Sequence, residues 1–289
     1  MTGHGMTTSV IIPTIGRPAL LANALASLAA CHPRADEVIV VDQSDGPATE
    51  ELVRQRMPHA ARRIPCDRRG IGIALNAGLR AASHEVVLIT NDDCTVADDW
   101  VGVAVARLAG DPRLIVTGSV LATSDEALVP STKTDPRPRD YTGSVQDGAL
   151  YGANMAACRS ALLAFGGFDE QIIPSAEDND LCYRWLRSGR SLRYEPAMRV
   201  WHHDWRTPRE LRSLYRRYGV GQGMFYAKHL AEGDRTMVRF VLRDLRGYGR
   251  AAARALVRGR RPPDWCEGTL LGLPVGLGRG LRQFARSSS

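Results

Sequence analysis

The chain has 289 residues, 44% hydrophobic and 24% charged, enough for one large α/β domain or a domain of about 200 residues with an appendage. Six cysteines (Cys31, Cys66, Cys94, Cys158, Cys182, Cys266) without C-x-x-C spacing argue against a structural zinc site or disulfide scaffold and fit a reducing compartment. The net charge of +7 is uneven, since residues 1–205 carry 20 Lys and Arg against 25 Asp and Glu while 206–289 carry 18 against 6, and parts of opposite charge have different partners. Met1 to Thr8 enters a strand with no charged segment and apolar core, so no signal peptide is expected. No run reaches the ~18 apolar residues of a membrane span.

Ser9-Val10-Ile11-Ile12-Pro13-Thr14 predicts a buried strand, and Pro18 opens a helix with Leu20, Leu21, Leu25 and Leu28 at helical spacing. Glu37 to Asp42 predicts a second strand, Gln43 to Pro47 a turn, and Thr49 to Met57 a helix, an alternation that implies parallel strands with right-handed crossovers. Gly70-Ile71-Gly72, continuing to Gly78, leads into another helix; its small residues fit either close helix-to-sheet packing or approach to a phosphate. Val86 to Ile89 is a short apolar β-branched run, read as a strand buried on both faces, and it stops at Asn91-Asp92-Asp93. Ligands of open α/β sheets bind outside the carboxyl ends of strands, and carboxylates there suit hard cations. A cap or turn role for Asp92 is the alternative.

Asp98-Asp99-Trp100 predicts a helix start, Leu114 to Val120 a strand, and Thr123 to Gly148 a long surface loop of the kind that often binds ligands. Tyr151 to Arg159 predicts a strand running into a helix that Gly166-Gly167 ends. Ser175, three residues before Asp178, resembles a helix cap, placing Glu177 and Asp178 in a first turn; Asp180 can pair with Arg184 one turn on. Leu192 to Tyr194 predicts a short strand, and Arg199 to Trp205 closes the acidic part. Beyond it, Leu211, Leu214, Tyr215 and Tyr218 share a helical face amid arginines, Thr236 to Arg258 repeats the pattern, and Leu270 to Phe284 is apolar and interrupted by glycines. These helices can pack on the rest of the protein with a solvated arginine face, or lie on an anionic lipid surface.

The series Ser9–Thr14, Val40-Val41-Asp42, Gly70–Gly78, Asn91-Asp92-Asp93, Gly166–Glu170, Glu177-Asp178-x-Asp180-Leu181 and Val200-Trp201-His202 resembles the family 2 inverting glycosyltransferases of the GT-A fold, in rhamnosyl and galactofuranosyl-type members especially. The resemblance covers about residues 9 to 205. It implies an α/β domain (1–205) with a mostly parallel central sheet flanked by helices, and a basic helical C-terminal region (206–289). It also implies a nucleoside-diphosphate sugar donor of UDP or dTDP type. By position Pro13, Thr14, Asp42 and Gln43 match nucleoside contacts, Gly70 and Asn76 belong to a donor-binding motif, and Asp92 matches the ribose-side acid. Asp93 matches the acid that holds Mn²⁺ or Mg²⁺, with His202 in the same metal shell. Asp178 matches the general base, and Glu177, Asn154 and Trp205 are assigned to acceptor binding or support.

Gln43 stands where many members have Asp, and Leu75 where many have Arg, which leaves the base and sugar open. The expected acceptor is a hydroxyl, lipid-linked or in the cell envelope, and the expected location is cytoplasmic, with the basic tail on the inner membrane face. A nucleotidyltransferase is the alternative, disfavoured because no Gly-rich loop with Arg and Lys follows the first strand. A nucleic-acid binder is less favoured still, since the positive charge lies in a tail without aromatic platforms.

Overall fold

The computed structural model describes residues 6–57, 59–124, 127, 129–143 and 148–285. The chain divides into two compact units, Met1–Asp169 with Asp178–Asp204, and Glu170–Glu177 with Trp205–Ser289. Glu170–Glu177 groups with the helical end of the chain and not with the sheet.

The first unit is a mixed sheet of nine strands among the described residues: β1 (Thr8–Thr14), β2 (Glu37–Asp42), β3 (Ala61–Pro65), β4 (Val86–Thr90), β5 (Cys94–Val96), β6 (Leu114–Ala122), β7 (Arg139–Thr142), β8 (Asn154–Cys158) and β9 (Ser191–His202). The order is β3-β2-β1-β4-β8-β6-β9-β5, with β7 also on β9. Pairing is parallel across β3-β2-β1-β4 and between β6 and β9. β8 runs antiparallel to β4 and β6, and β5 and β7 run antiparallel to β9. Strand-helix alternation thus specifies parallel pairing only in the amino-terminal half, because β8 is entered from a long loop and not from a crossover helix.

The helices of this unit are α1 (Pro18–Ala30), α2 (Ala48–Arg56), α3 (Ile71–Ala81), α4 (Trp100–Leu108), α5 (Arg159–Ala164) and α6 (Glu177–Arg187). In α1, Leu21, Ala24, Leu25 and Leu28 are buried at i, i+3, i+4 and i+7, the single stripe that a sheet-covering helix presents. β1 and β4 are buried throughout, matching their continuous apolar runs. In α3, a Cβ on Gly78 would collide with Ile11 of β1, so this glycine serves close helix-to-sheet packing.

Three elements differ from the sequence reading. β3 is a partly exposed edge strand, Ala-Arg-Arg-Ile-Pro, whose polar residues hide it from a hydrophobicity pattern. The long loop is partly ordered: Lys133 bridges to Val120 and β7 adds a strand, while residues 125, 126, 128 and 144–147 lie outside the described residues. Finally, Leu192–Tyr194 and Arg199–His202 are parts of one 12-residue strand, β9. Its register against β6 jumps from Gly118↔Glu195 to Ser119↔Arg199, so Pro196, Ala197 and Met198 bulge out and only interrupt the pattern.

The second unit contains α7 (Pro208–Ala231), α8 (Thr236–Val257) and α9 (Asp264–Ala285). Thr207 and Glu210 form a reciprocal capping box at the start of α7. α7 and α9 meet backbone to backbone, since a Cβ on Gly219 would lie 2.8 Å from the Thr269 carbonyl oxygen and one on Gly276 would collide with that of Val220. No helix among the described residues is long and apolar enough to cross a membrane.

The β6–β9 bulge leaves no room at Gly118, where a Cβ would collide with the Met198 carbonyl oxygen and lie 2.5 Å from the Asn154 amide nitrogen. Gly118→Ala is expected to destabilise the chain by about 3 kcal/mol in urea denaturation, or to leave it insoluble, because backbone and a fully bonded amide cannot give way.

Candidate active site

The parallel strands β1, β2 and β4 end at one edge of the sheet, and their carboxyl ends supply Thr14, Asp42 and the Asp92-Asp93 pair. Thr14 lies opposite Asp42 in the register. Asp42 accepts from the Ser44 hydroxyl at 2.5 Å and backbone at 2.9 Å, and pairs with Arg63 at 2.8 Å. Burial alone would raise its pKa; the bonds from Ser44 and Arg63 outweigh burial and hold it below the ordinary Asp value.

Asp92 is wholly buried. It accepts the Thr14 hydroxyl at 2.6 Å and pairs with the Arg17 guanidinium at 2.8 Å. Burial dominates here, opposed by Arg17 and aided by the charge of Asp93, and the carboxyl is pushed up to about 6. Asp93 is also buried, with Oδ2 lying 3.5 Å from Arg17 Nη1 and 3.3 Å from His202 Nε2. Pairing of β5 with β9 sets this geometry. It places Cys94 opposite His202, and the His203 N–H donates to the Asp93 carbonyl at 2.8 Å.

His202 is buried, and among the described residues neither ring nitrogen has a hydrogen-bond partner. A buried imidazole normally satisfies its polar atoms, so its orphaned nitrogens beside a carboxylate oxygen fit a cation ligand. Two groups binding one cation side by side, each about 2.1 Å from it, stand about 3 Å apart, close to the spacing of Asp93 and His202. His203 differs, since its Nε2 lies 3.0 Å from the Thr95 hydroxyl. Cys94 also falls within the cluster, whose ligand atoms all lie within 4.8 Å of one another. Burial pushes its thiol well above the ordinary value.

Asp178 is tied to the same edge. Its Oδ2 accepts from the Gly152 N–H at 3.0 Å and its Oδ1 from that of Asn179 at 2.8 Å. Gly152 lies two residues before Asn154, which pairs with Thr90 at the end of β4. Burial raises the Asp178 carboxyl above its ordinary value, against the lowering effect of the two backbone bonds. Glu177, buried, heads α6 beside it. The Ser175 hydroxyl donates to the Arg217 carbonyl at 3.3 Å, and Ala176 intervenes at φ 76°. Asp180 pairs with Arg184 at 2.6 Å.

Several expected ligand contacts are structural ties. The Asn76 amide donates to the Phe168 carbonyl at 2.8 Å and accepts its N–H at 2.9 Å, fastening α3 to the Gly166-Gly-Phe-Asp turn. Asn154, fully buried, accepts from the Trp100 indole at 2.9 Å and donates to the Ser119 and Met198 carbonyls at 2.8 Å each. Its amide joins α4, β6 and β9, with both N–H groups engaged. Gln43 donates to the Arg68 carbonyl, and to that of Gly70 at 3.1 Å, so its nitrogen holds the 68–70 turn. Gly70 caps α3. Pro13 lies inside β1 opposite Val41. Trp205 belongs to the second unit, its ring 4.2 Å from the Arg206 guanidinium.

Two residues were missed. Arg17 is the cation between the two acids; an arginine just past a strand that ends at a site was its signal. Lys133 lies 4.8, 5.0 and 6.0 Å from the ring centres of Tyr194, Tyr151 and Tyr141 and donates to the Ala149 carbonyl at 3.0 Å. It braces the segment leading to Gly152. Its signal was a lysine in a chain that otherwise uses arginine almost everywhere.

Two substitutions check this arrangement. Because the folded-state pKa of Asp92 is raised, ionising it costs stability as pH rises through about 6, and Arg17 limits that cost. Arg17→Ala is therefore expected to lose about 2 kcal/mol in urea denaturation at pH 7.5, the loss being reduced because the guanidinium is partly exposed, and clearly less at pH 5. Asn154→Ala is expected to cost about 3 kcal/mol at both pH values, by stranding an indole N–H and two carbonyls.

Comparison with known proteins agrees with this geometry. Residues 9–165 match the glycosyl transferase family 2 model. The chain is 30% identical over 219 residues to the pre-mycofactocin glycosyltransferase of Mycobacterium tuberculosis, in strains CDC 1551 / Oshkosh and ATCC 25618 / H37Rv, covering 67% of this chain and 44% of the relative. It thus spans less than half the length of these curated relatives. Among solved structures, a mannosyltransferase from Pyrobaculum calidifontis in complex with GDP-Man and Mn²⁺ superposes with TM-score 0.57 at 20% identity, over 99% of this chain and 76% of that one. GalNAc-T7 with UDP, GalNAc and Mn²⁺ gives 0.57 at 19% identity over 79% and 51%. S. aureus TarS 1-349 with UDP-GlcNAc gives 0.54 at 17% over 75% and 66%. These likenesses identify the fold as GT-A, and with the family match and the curated relatives they lead to one conclusion: the chain belongs to glycosyl transferase family 2.

Proposed function

We propose that this protein is a metal-dependent inverting glycosyltransferase that moves a sugar from a nucleoside-diphosphate sugar, of UDP or dTDP type, to an acceptor hydroxyl in cell-envelope polysaccharide or glycolipid synthesis. The observation that carries the reading is the Asp93–His202 pair, a carboxylate and an unsatisfied buried imidazole 3.3 Å apart, at the strand edge where Asp178 is also held. Structural neighbours crystallised with Mn²⁺ and with nucleotides or nucleotide sugars support it. Asp93 and His202 would hold Mn²⁺ or Mg²⁺, which when bound supplies positive charge for the departing diphosphate.

This chain's residues do the rest. Thr14 and Arg17 orient Asp92, the acid assigned to the ribose. Asp178, steered by the N–H groups of Gly152 and Asn179, takes the acceptor's proton on a carboxylate oxygen as the hydroxyl attacks the anomeric carbon. Attack opposite the leaving diphosphate inverts that carbon in a single displacement. The raised pKa of Asp178 makes it a stronger base than an exposed Asp, so turnover should rise with pH along a limb above the ordinary Asp range. A lipid-linked acceptor and attachment to the inner membrane face are part of this proposal, supported by the basic C-terminal region.

Mn²⁺-dependent release of a nucleoside diphosphate on adding acceptor is the deciding assay; release of pyrophosphate would identify a nucleotidyltransferase instead. Asp93→Ala is expected to abolish metal-dependent donor binding in a thermal-shift titration. Asp178→Asn should retain donor binding and lose at least ~100-fold in turnover. Normal turnover in Asp178→Asn would remove it as the base.

A further inference from the structure

Helix α8 carries three faces where a helix packed on its own protein needs two. Met237 is buried, Tyr248 packs edge-on against Trp265 at 5.8 Å, and the helix's single acid, Asp244, accepts the Tyr226 hydroxyl at 2.5 Å. These residues define the face turned toward α7 and α9. Val238, Leu242, Leu245 and Leu256 recur at the spacing of a different face and are 46%, 43%, 37% and 62% exposed. Beside this apolar stripe runs a third face of exposed arginines, Arg235, Arg239, Arg246, Arg250 and Arg254.

We infer that α8 is an in-plane docking helix for an anionic lipid bilayer, with Val238, Leu242, Leu245 and Leu256 entering the acyl boundary and the arginines engaging lipid phosphates. A helix lying in a membrane interface needs an apolar stripe flanked by cations, and α8 has both on the surface left over after packing. Trp265, 42% exposed and in contact with Tyr248, adds an aromatic of the kind that settles at headgroup level. A second copy of the chain would bring the same arginine row against this one, and like charges repel. A nucleic acid would satisfy the arginines and leave the leucines in water. The inference specifies the surface behind the membrane attachment proposed above, but it does not depend on catalysis.

The full-length chain, without donor or acceptor, would be sedimented with vesicles of neutral phosphatidylcholine and with vesicles holding roughly 30% phosphatidylglycerol. Binding is expected on the anionic vesicles only, weakening as salt is raised. Arg239→Gln/Arg246→Gln/Arg250→Gln and Leu242→Ser/Leu245→Ser should each lower partitioning at least ~10-fold. All five positions are exposed, and unchanged thermal unfolding would show that both variants fold. The inference is overturned if the chain ignores anionic vesicles, if either variant binds like the parent, or if the parent is a dimer that Leu242→Ser/Leu245→Ser disperses. Mn²⁺-dependent donor turnover on a soluble acceptor is read separately, so loss of lipid binding with turnover intact rejects only this surface. Lipid binding without turnover rejects only the transferase reading.

Discussion

Two carboxylates side by side in a buried position are the constraint around which the catalytic unit is built. Asp92 and Asp93 are both almost fully withdrawn from water, and two like charges roughly 5 Å apart at an effective dielectric of about 20 repel by about 3 kcal/mol before desolvation is counted. A fold keeps such a pair only if cations and donors are delivered to it from elsewhere. β1 delivers Thr14, the turn after it delivers Arg17, and the β5–β9 pairing delivers His202. Asp92 is compensated by hydroxyl and guanidinium, whereas Asp93 shares one oxygen between Arg17 and His202.

The mixed sheet brings a third carboxylate, that of Asp178, to the edge where β4 ends. Parallel strands alone would place every functional residue on crossover turns after β1, β2 and β4. The inverted strand β8 instead enters the sheet at the active edge, so its leading segment, Tyr151 to Ala153, arrives beside the end of β4. Gly152 then holds Asp178 through its backbone N–H, and Asn154 secures the segment with bonds to β6, β9 and α4. Asp178 accepts two backbone bonds and burial raises it, whereas Asp42 is held low by Ser44 and Arg63. The same side-chain type thus ends with a raised pKa in one place and a lowered one in another.

Sequence pattern located what hydrophobicity controls. The buried runs of β1, β2 and β4, the helical stripe of α1 and the acids that follow β4 could be placed from residue type and spacing. Edge strand β3 and the bulged β9 could not, because polar residues on one and a Pro196 interruption in the other break the periodicity that identifies strands. The amides show a different limit. Asn76, Asn154 and Gln43 sit in or near motifs of a sugar-transferring family, and an amide there can face a ligand or the protein. Only the partner distinguishes the two, and for Asn76 the partner is Phe168, 92 residues away. Arg17 was hidden for the opposite reason, since its local setting explains it fully as the residue before a helix.

Electrostatics also bears on why a cation belongs in the reaction. Residues 1–205 carry five more acids than bases, and the site edge adds two buried carboxylates to that field. A sugar donor brings a diphosphate of the same sign, and within a Debye length of about 8 Å at physiological ionic strength that repulsion is not screened away. Arg17 cannot serve both sides, because its guanidinium is already engaged with Asp92 and Asp93. Under the function proposed above, a cation held by Asp93 and His202, 3.3 Å apart, would add positive charge against that diphosphate.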